Sequence, residues 1–154
     1  IHALNPRLTP SMAEGKKFKI YISCFTSVAM DNFSRIPTTD NRLLRRTIRD
    51  NASRGHNALR TLAMWSSVRR GEEKHIFPYQ ENANVMFNSS LFYEISVLKA
   101  LAEPLLREVP DTVPEYGEAR RILKLLENFT PIEPDEIPPT SLLREFIGGS
   151  SFKY

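Results

Sequence analysis

The sequence predicts an α/β fold that is rich in helix and carries few, parallel strands. Three observations lead there. Residues 18–26 concentrate β-branched and aromatic side chains, with apolar groups on both faces, as in a parallel strand covered on both sides. Residues 83–88, centred on Val85, Met86 and Phe87, make a second, shorter pattern of the buried-strand kind. Around these two, apolar residues recur at helical spacing in segments punctuated by glycine and proline.

The elements follow in order. Residues 5–17, limited by Pro6 and Pro10, read as irregular or short helical chain. The strand over 18–26 comes next, then a loop over 30–39. Thr39 or Asp40 can cap a helix that stops at Gly55. A second helix is expected over 57–70, ending at Gly71, and the short strand over 83–88 comes after it. Ser89 or Ser90 can cap the next helix, which carries Leu91, Ile95, Leu98, Leu101 and Ala102 on one face. Pro104 should break or kink it. Residues 116–129 form another amphipathic helix, turning Ala119, Ile122, Leu123 and Leu126 inward. Four prolines and three acids make 130–139 an extended connector, before a last short helix over 141–147 that stops at Gly148 and Gly149. Two parallel strands are a poor core, because such sheets need several strands with helices on both faces. The remaining strands are therefore expected upstream of Ile1, in a longer chain; the competing reading is a mainly helical domain.

Bulk properties narrow the function classes. The 154 residues suit one domain, and 41% hydrophobic with 25% charged residues is ordinary for a globular protein. No apolar run reaches the roughly 20 residues of a membrane helix. The first residues lack the basic start and apolar run of a signal peptide, and Ile1 in place of Met reads as a cut point. Cys24 is the single cysteine, so no internal disulfide can form, which fits a cytoplasmic protein; its apolar surroundings mark it for packing rather than catalysis. Charge is uneven. Residues 35–74 hold ten Lys/Arg against four Asp/Glu, whereas 101–146 hold five against ten. The basic segment suits a polyanion, either nucleotide phosphate or nucleic acid, and the acidic C-terminal helices suit docking on it or on a partner subunit.

The most informative stretch is 39–55. On a helix, Arg42, Arg45, Arg46 and Arg49 fall within an arc of about 100°, opposite Leu43, Leu44, Thr47 and Ile48. Arg54 follows at the helix end. Guanidinium is permanently charged and its fork matches phosphate oxygens, so this face can clamp a phosphoryl group. The plainer reading is a solvated face, or one paired with acids elsewhere.

The run Asp40-x-Arg42-Leu43-x-Arg45-Arg46-x-x-Arg49-Asp50-x-x-x-Arg54-Gly55 resembles the lid segment of uridine kinase and phosphoribulokinase-like P-loop kinases. Phe77-Pro78 followed by Ala83-Asn84-Val85-Met86-Phe87 is similar to the strand after that lid. Ile1 to Leu4 resembles the piece after an acidic-glycine turn, and 18–26 the strand leading to the lid. Ser34 to Arg42, Met64 to Glu72 and Leu142 to Ser150 resemble a bacterial subgroup in which the kinase-like domain follows threonyl-tRNA synthetase-like domains. The resemblance spans essentially the whole chain. It implies the C-terminal portion of a P-loop NTPase three-layer fold, in one domain piece: strand and connection over 1–38, arginine-rich lid helices over 39–75, strand and C-terminal helices over 76–129, and connector with terminal helix over 130–154.

The implied activity is ATP-dependent phosphorylation of a nucleoside, with Mg²⁺ as the metal partner of ATP. Carried over by position, Arg46, Arg49 and Arg54 are the candidates for phosphate contact. Arg42 and Arg45 are secondary, since such places often serve lid structure, and His56 stands where the family often has a nucleoside-touching arginine. Asn84 stands where an aspartate is usual. No G-x-x-x-x-G-K-[ST] occurs in the chain, so the phosphate loop, the metal ligands and the acidic general base are expected in the missing N-terminal half, and the chain alone is expected to be inactive. A homo-oligomer is compatible with all of this, and no membrane partner is expected.

Other chemistry finds little support. His2, His56 and His75 have no metal-ligand spacing with Cys24 or each other, and no G-x-S-x-G elbow is present. Trp65, near Arg69 and Arg70, reads first as a core residue and second as a base-stacking one. Two further functions compete. One is a nucleic-acid-binding module that lays the arginine helix along phosphates, against which the apolar second helix (Leu59, Leu62, Met64, Trp65) speaks. The other is a non-catalytic interaction domain.

Overall fold

The computed structural model describes residues 4–26 and 28–153. The resemblance resting on Ile1, His2 and Ala3 lies outside them. The chain forms β1 (Ile20–Ser23), α1 (Thr38–Arg54), α2 (Ala58–His75), β2 (Val85–Asn88), α3 (Glu94–Arg107), α4 (Tyr116–Leu126) and α5 (Arg144–Ile147), with short 3₁₀ segments at Pro6–Leu8, Glu14–Lys16, Phe77–Asn82 and Pro134–Glu136. This is an α/β chain, rich in helix, with a short parallel sheet of two strands. Ile20 pairs with Val85, Tyr21 with Met86, Ile22 with Phe87 and Ser23 with Asn88. The α1–α2 hairpin and the Phe77–Asn82 turn make the crossover that a parallel pair requires.

The core lies among the helices. α3 packs on α4 and on α1, and α1 also meets α2 and α5. Leu43, Leu44 and Ile48 of α1 interlock there with Ile95, Leu98 and Ala102 of α3, Ala119, Ile122 and Leu126 of α4, and Leu143 and Phe146 near the C-terminus. These are the apolar faces expected from the periodicity of α1, α3 and α4, although Leu101 and Leu123 are half-buried at the margin.

The sheet departs from expectation. Residues alternate across a strand, so Ile20, Ile22, Val85 and Phe87 share one face, and they are 48%, 63%, 44% and 53% exposed. Tyr21 faces the helices and is buried. Neither strand is covered on both sides, and β2 is exposed throughout. Among the described residues that apolar face is left largely open.

Several boundaries also move. α1 starts at Thr38 behind Pro37, and neither Thr39 nor Asp40 caps it. The Asp40 carboxylate is instead buried against Arg121, which donates to both its oxygens at 2.7 Å. Gly55 does end α1: its φ of 63° allows the left-handed closure in which Gly55 N–H donates to Asn51 O and His56 N–H to Asp50 O. Asn57 caps α2 by accepting from Arg60 N–H at 2.9 Å. That helix runs through Gly71 to His75, because Gly71 keeps a negative φ and its neighbour Glu72 is tied down by Arg42. α3 begins at Glu94 rather than at the serines, whose groups are engaged elsewhere: Ser89 with Arg45, and Ser90 N–H with Asn88 Oδ1. Pro104 lies inside α3 without ending it, on the exposed side where water can satisfy the carbonyl that loses its donor. α4 closes at Leu126 and α5 shrinks to four residues. Among the described residues no helix is long and apolar enough to cross a membrane.

Candidate functional site

A cleft of about 340 Å³ opens at the carboxyl ends of β1 and β2, between α1, α2 and the C-terminal helix. Tyr21, Ile22 and Ser23 of β1, Cys24 just after it and Ser89 just after β2 line its sheet side. Parallel sheets present their ligand crevices at this end of the strands. α1 contributes Arg42, Arg45, Arg46 and Arg49, the four residues of the arginine arc, while α2 contributes Trp65, Val68 and Glu72. Ile76, Leu142, Glu145 and Phe146 complete the walls.

The four arginines are not equivalent. Arg45 is buried and held from three sides. It forms a two-pronged pair with Glu94, with Nε on Oε1 and Nη2 on Oε2 at 2.7 Å. Its Nη1 and Nη2 also donate to Ser89 Oγ at 3.0 Å and to the Ser89 carbonyl at 2.6 Å. Its guanidinium lies over the Phe146 ring, 4.9 Å from the centroid. Burial works against the Arg45 charge, but the Glu94 hydrogen bonds and charge outweigh it and raise its pKa. Glu94 is fully buried and also accepts from Leu91 N–H at 3.1 Å, so this pair ties the arginine helix to the start of α3. Arg42 is likewise committed, to the buried carboxylate of Glu72, which also meets Arg69 at 3.5 Å.

Arg46 and Arg49 stand differently. Both look to Asp50, a fully buried carboxylate, with Arg46 Nε at 3.1 Å and Arg49 Nε at 3.9 Å. Arg54 takes Asp50 Oδ1 at 2.7 Å. The Nε atoms of Arg46 and Arg49 are buried yet make no hydrogen bond; the 3.1 Å approach of Arg46 is an ion-pair contact without hydrogen-bond alignment. Glu145 offers Arg49 a second, half-exposed carboxylate at 3.9 Å. Three guanidinium groups thus draw on one buried carboxylate, leaving positive charge in excess on the side of α1 that Arg46 and Arg49 turn to the cleft.

Arg54 and His56 do not line the cleft. Arg54 sits at the far end of α1, about half-exposed, on Asp50. His56 follows the glycine stop; its carbonyl accepts from Asn51 Nδ2 at 3.2 Å, and its buried Nδ1 has no partner. Cys24 is buried, and that burial raises its thiol pKa, in keeping with a packing role. Among the described residues no group of three or more His, Cys, Asp or Glu is placed to hold a metal ion.

The carboxylates of Glu72 and Glu94 and the Ser89 groups were invisible to sequence patterning. Glu72 is 30 residues from Arg42 and Glu94 is 49 from Arg45, far outside any helical spacing. Only the turn of the α1–α2 hairpin, which sets two helices side by side, could have hinted at the first pair. Comparison with protein-family models, with curated proteins and with solved structures finds no match.

Proposed function

We propose that this chain supplies the lid helices and C-terminal helices of an ATP-dependent nucleoside kinase of the uridine kinase kind, a cytoplasmic enzyme with a P-loop NTPase fold. The observation that carries the reading is the pair Arg46 and Arg49: cations without a full set of partners, in a cleft at the carboxyl ends of parallel strands. A phosphoryl group entering there meets donors held in place before it arrives, which is how transition-state charge is stabilised without reorganising solvent. The apolar sheet face, exposed on Ile20, Ile22, Val85 and Phe87, supports a domain completed by further strands and helices.

The residues present fit the phosphates of ATP but not its metal. Arg46 and Arg49 would hold phosphate oxygens, and Arg42 and Arg45, fixed by Glu72 and Glu94, would set the position of α1. ATP supplies the transferable phosphoryl group when bound, and Mg²⁺ would be held by residues beyond this chain, together with the phosphate loop and general base. Arg54 and His56 lie at the hairpin turn and would come near a ligand only if α1 and α2 close as a unit. A nucleic-acid role is less well supported, since these arginines line a concavity and two of the four are committed to buried carboxylates.

The test is phosphoryl transfer from MgATP to uridine and other nucleosides by the chain joined to its upstream half. Transfer that falls about 10²–10³-fold with Arg49→Ala, the usual effect of losing one charge-stabilising donor, is the expected result. A well-folded joined protein that transfers nothing to any nucleoside would sink the reading.

A further inference from the structure

The cleft has a second wall whose chemistry the arginines do not explain. Trp65, Val68, Glu72 and Ile76 all line it, and on a continuous helical path these positions fall within an arc of about 80°. One stripe of the second wall is therefore mostly apolar, across from the cationic stripe of α1. The other aromatic residues nearby are already engaged: Tyr21 pairs with Phe25, ring centroids 6.1 Å apart, Arg45 covers Phe146 at 4.9 Å, and Arg69 lies 5.8 Å from the centroid of Phe77. Trp65 differs from them. It is half-buried against the core, and among the described residues it makes no aromatic pair, no cation–π contact and no hydrogen bond. Its indole N–H is not among the buried groups lacking a partner, so it opens to solvent.

We infer that Trp65 is the stacking platform for a heteroaromatic base, with the phosphates of the same or an adjoining ligand on Arg46 and Arg49. This rests on the phosphate-binding reading and adds what that reading lacks, the means of holding a base. The volume of about 340 Å³ lies at the low end of the roughly 300–1,000 Å³ typical of small-molecule sites, which suits a nucleoside phosphate. Stacking on an indole that lines the cleft tolerates any base, because every base has a π-face. The base could belong to ATP or to the acceptor nucleoside; the shared chemistry is the planar ring.

Trp65 is the only tryptophan in the chain, so its emission is a direct probe, and the difference from Trp65→Phe isolates it in a longer protein. The protein, alone and joined to its upstream half, is titrated with MgATP, with uridine and with tripolyphosphate, which has phosphates but no base; emission reports on Trp65, and calorimetry gives the affinity of each ligand for the unsubstituted protein and for both Trp65 variants. The expected result is a change in Trp65 emission with a base-bearing ligand but not with tripolyphosphate. Trp65→Ala then weakens that ligand about 10- to 100-fold and leaves tripolyphosphate unchanged, while Trp65→Phe keeps most of the affinity. A response to MgATP assigns the ATP base; a response to uridine assigns the acceptor. If base-bearing ligands bind Trp65→Ala and Trp65→Phe as tightly as the unsubstituted protein, or if tripolyphosphate weakens equally with Trp65→Ala, the inference is overturned while the arginine site stands. If tripolyphosphate does not bind at all, the phosphate reading itself fails, and the stacking role with it.

Discussion

Removing the Glu94 carboxylate would leave the Arg45 guanidinium buried without its anion, and a buried pair broken on one side costs far more than a surface pair. Glu94→Gln is therefore expected to destabilise the chain by about 3–5 kcal/mol in urea denaturation. Glu145→Gln, at a carboxylate 49% exposed and 3.9 Å from Arg49, should change stability by less than about 1 kcal/mol. Cys24 offers a separate check. Burial raises its pKa, so the thiol stays neutral at pH 8, where a free cysteine begins to ionise. Alkylation at pH 8 should be slow in the folded chain and speed up on unfolding; fast modification of the native protein would contradict its burial. At this scale the sequence revealed the cations but not their partners. Arg42, Arg45, Arg46 and Arg49 announce themselves by spacing on one helix. Glu72, Glu94 and Ser89 come from other elements, and only the fold brings them in.

Two glycines illustrate the element scale. Gly55 has φ 63° and a Cβ there would meet open space, so Gly55→Ala suffers only from left-handed strain, about 1–2 kcal/mol. Gly71 lies inside α2 with negative φ and open space around it. Gly71→Ala should therefore stabilise the chain, by about 0.5–1 kcal/mol. The same substitution is expected to have opposite signs at the two sites, read as opposite shifts in the urea midpoint. Sequence treats both glycines as stop signals. What separates them is the left-handed closure, completed after Gly55 by bonds from Gly55 and His56 to Asn51 and Asp50, whereas Glu72 carries α2 onward. Helix existence was legible because α1, α3 and α4 each bury one periodic face. Their ends depended on which polar group each serine, threonine or aspartate engaged, and Asp40 and Ser89 engaged arginines.

At the scale of the whole molecule, the sheet is the unfinished part. Its apolar pattern on both faces was read as burial on both sides, but only the Tyr21 side meets helices within the described residues. The pattern was legible; what covers it was not, because a strand's sequence records the need for cover and not its source. Ile20 and Val85 are cross-strand neighbours on the open face, 48% and 44% exposed. The chain is accordingly expected to bind the apolar dye ANS. The paired substitution Ile20→Lys with Val85→Glu, opposite charges in register, should lower that binding without unfolding the helices, as circular dichroism would show. In the protein joined to its upstream half, the same pair should abolish phosphoryl transfer if this face docks the rest of the domain.

The measurement that bears most directly on the central claim is calorimetry of the joined protein with a bisubstrate nucleoside–ATP analogue, alongside Arg46→Ala and Arg49→Ala. Tight binding by the unsubstituted protein, weakened at least tenfold by either substitution while circular dichroism shows each variant still folded, is the expected result. A folded protein that binds no analogue, or binds it equally well without these two arginines, would contradict the assignment of the cleft to nucleotide phosphates.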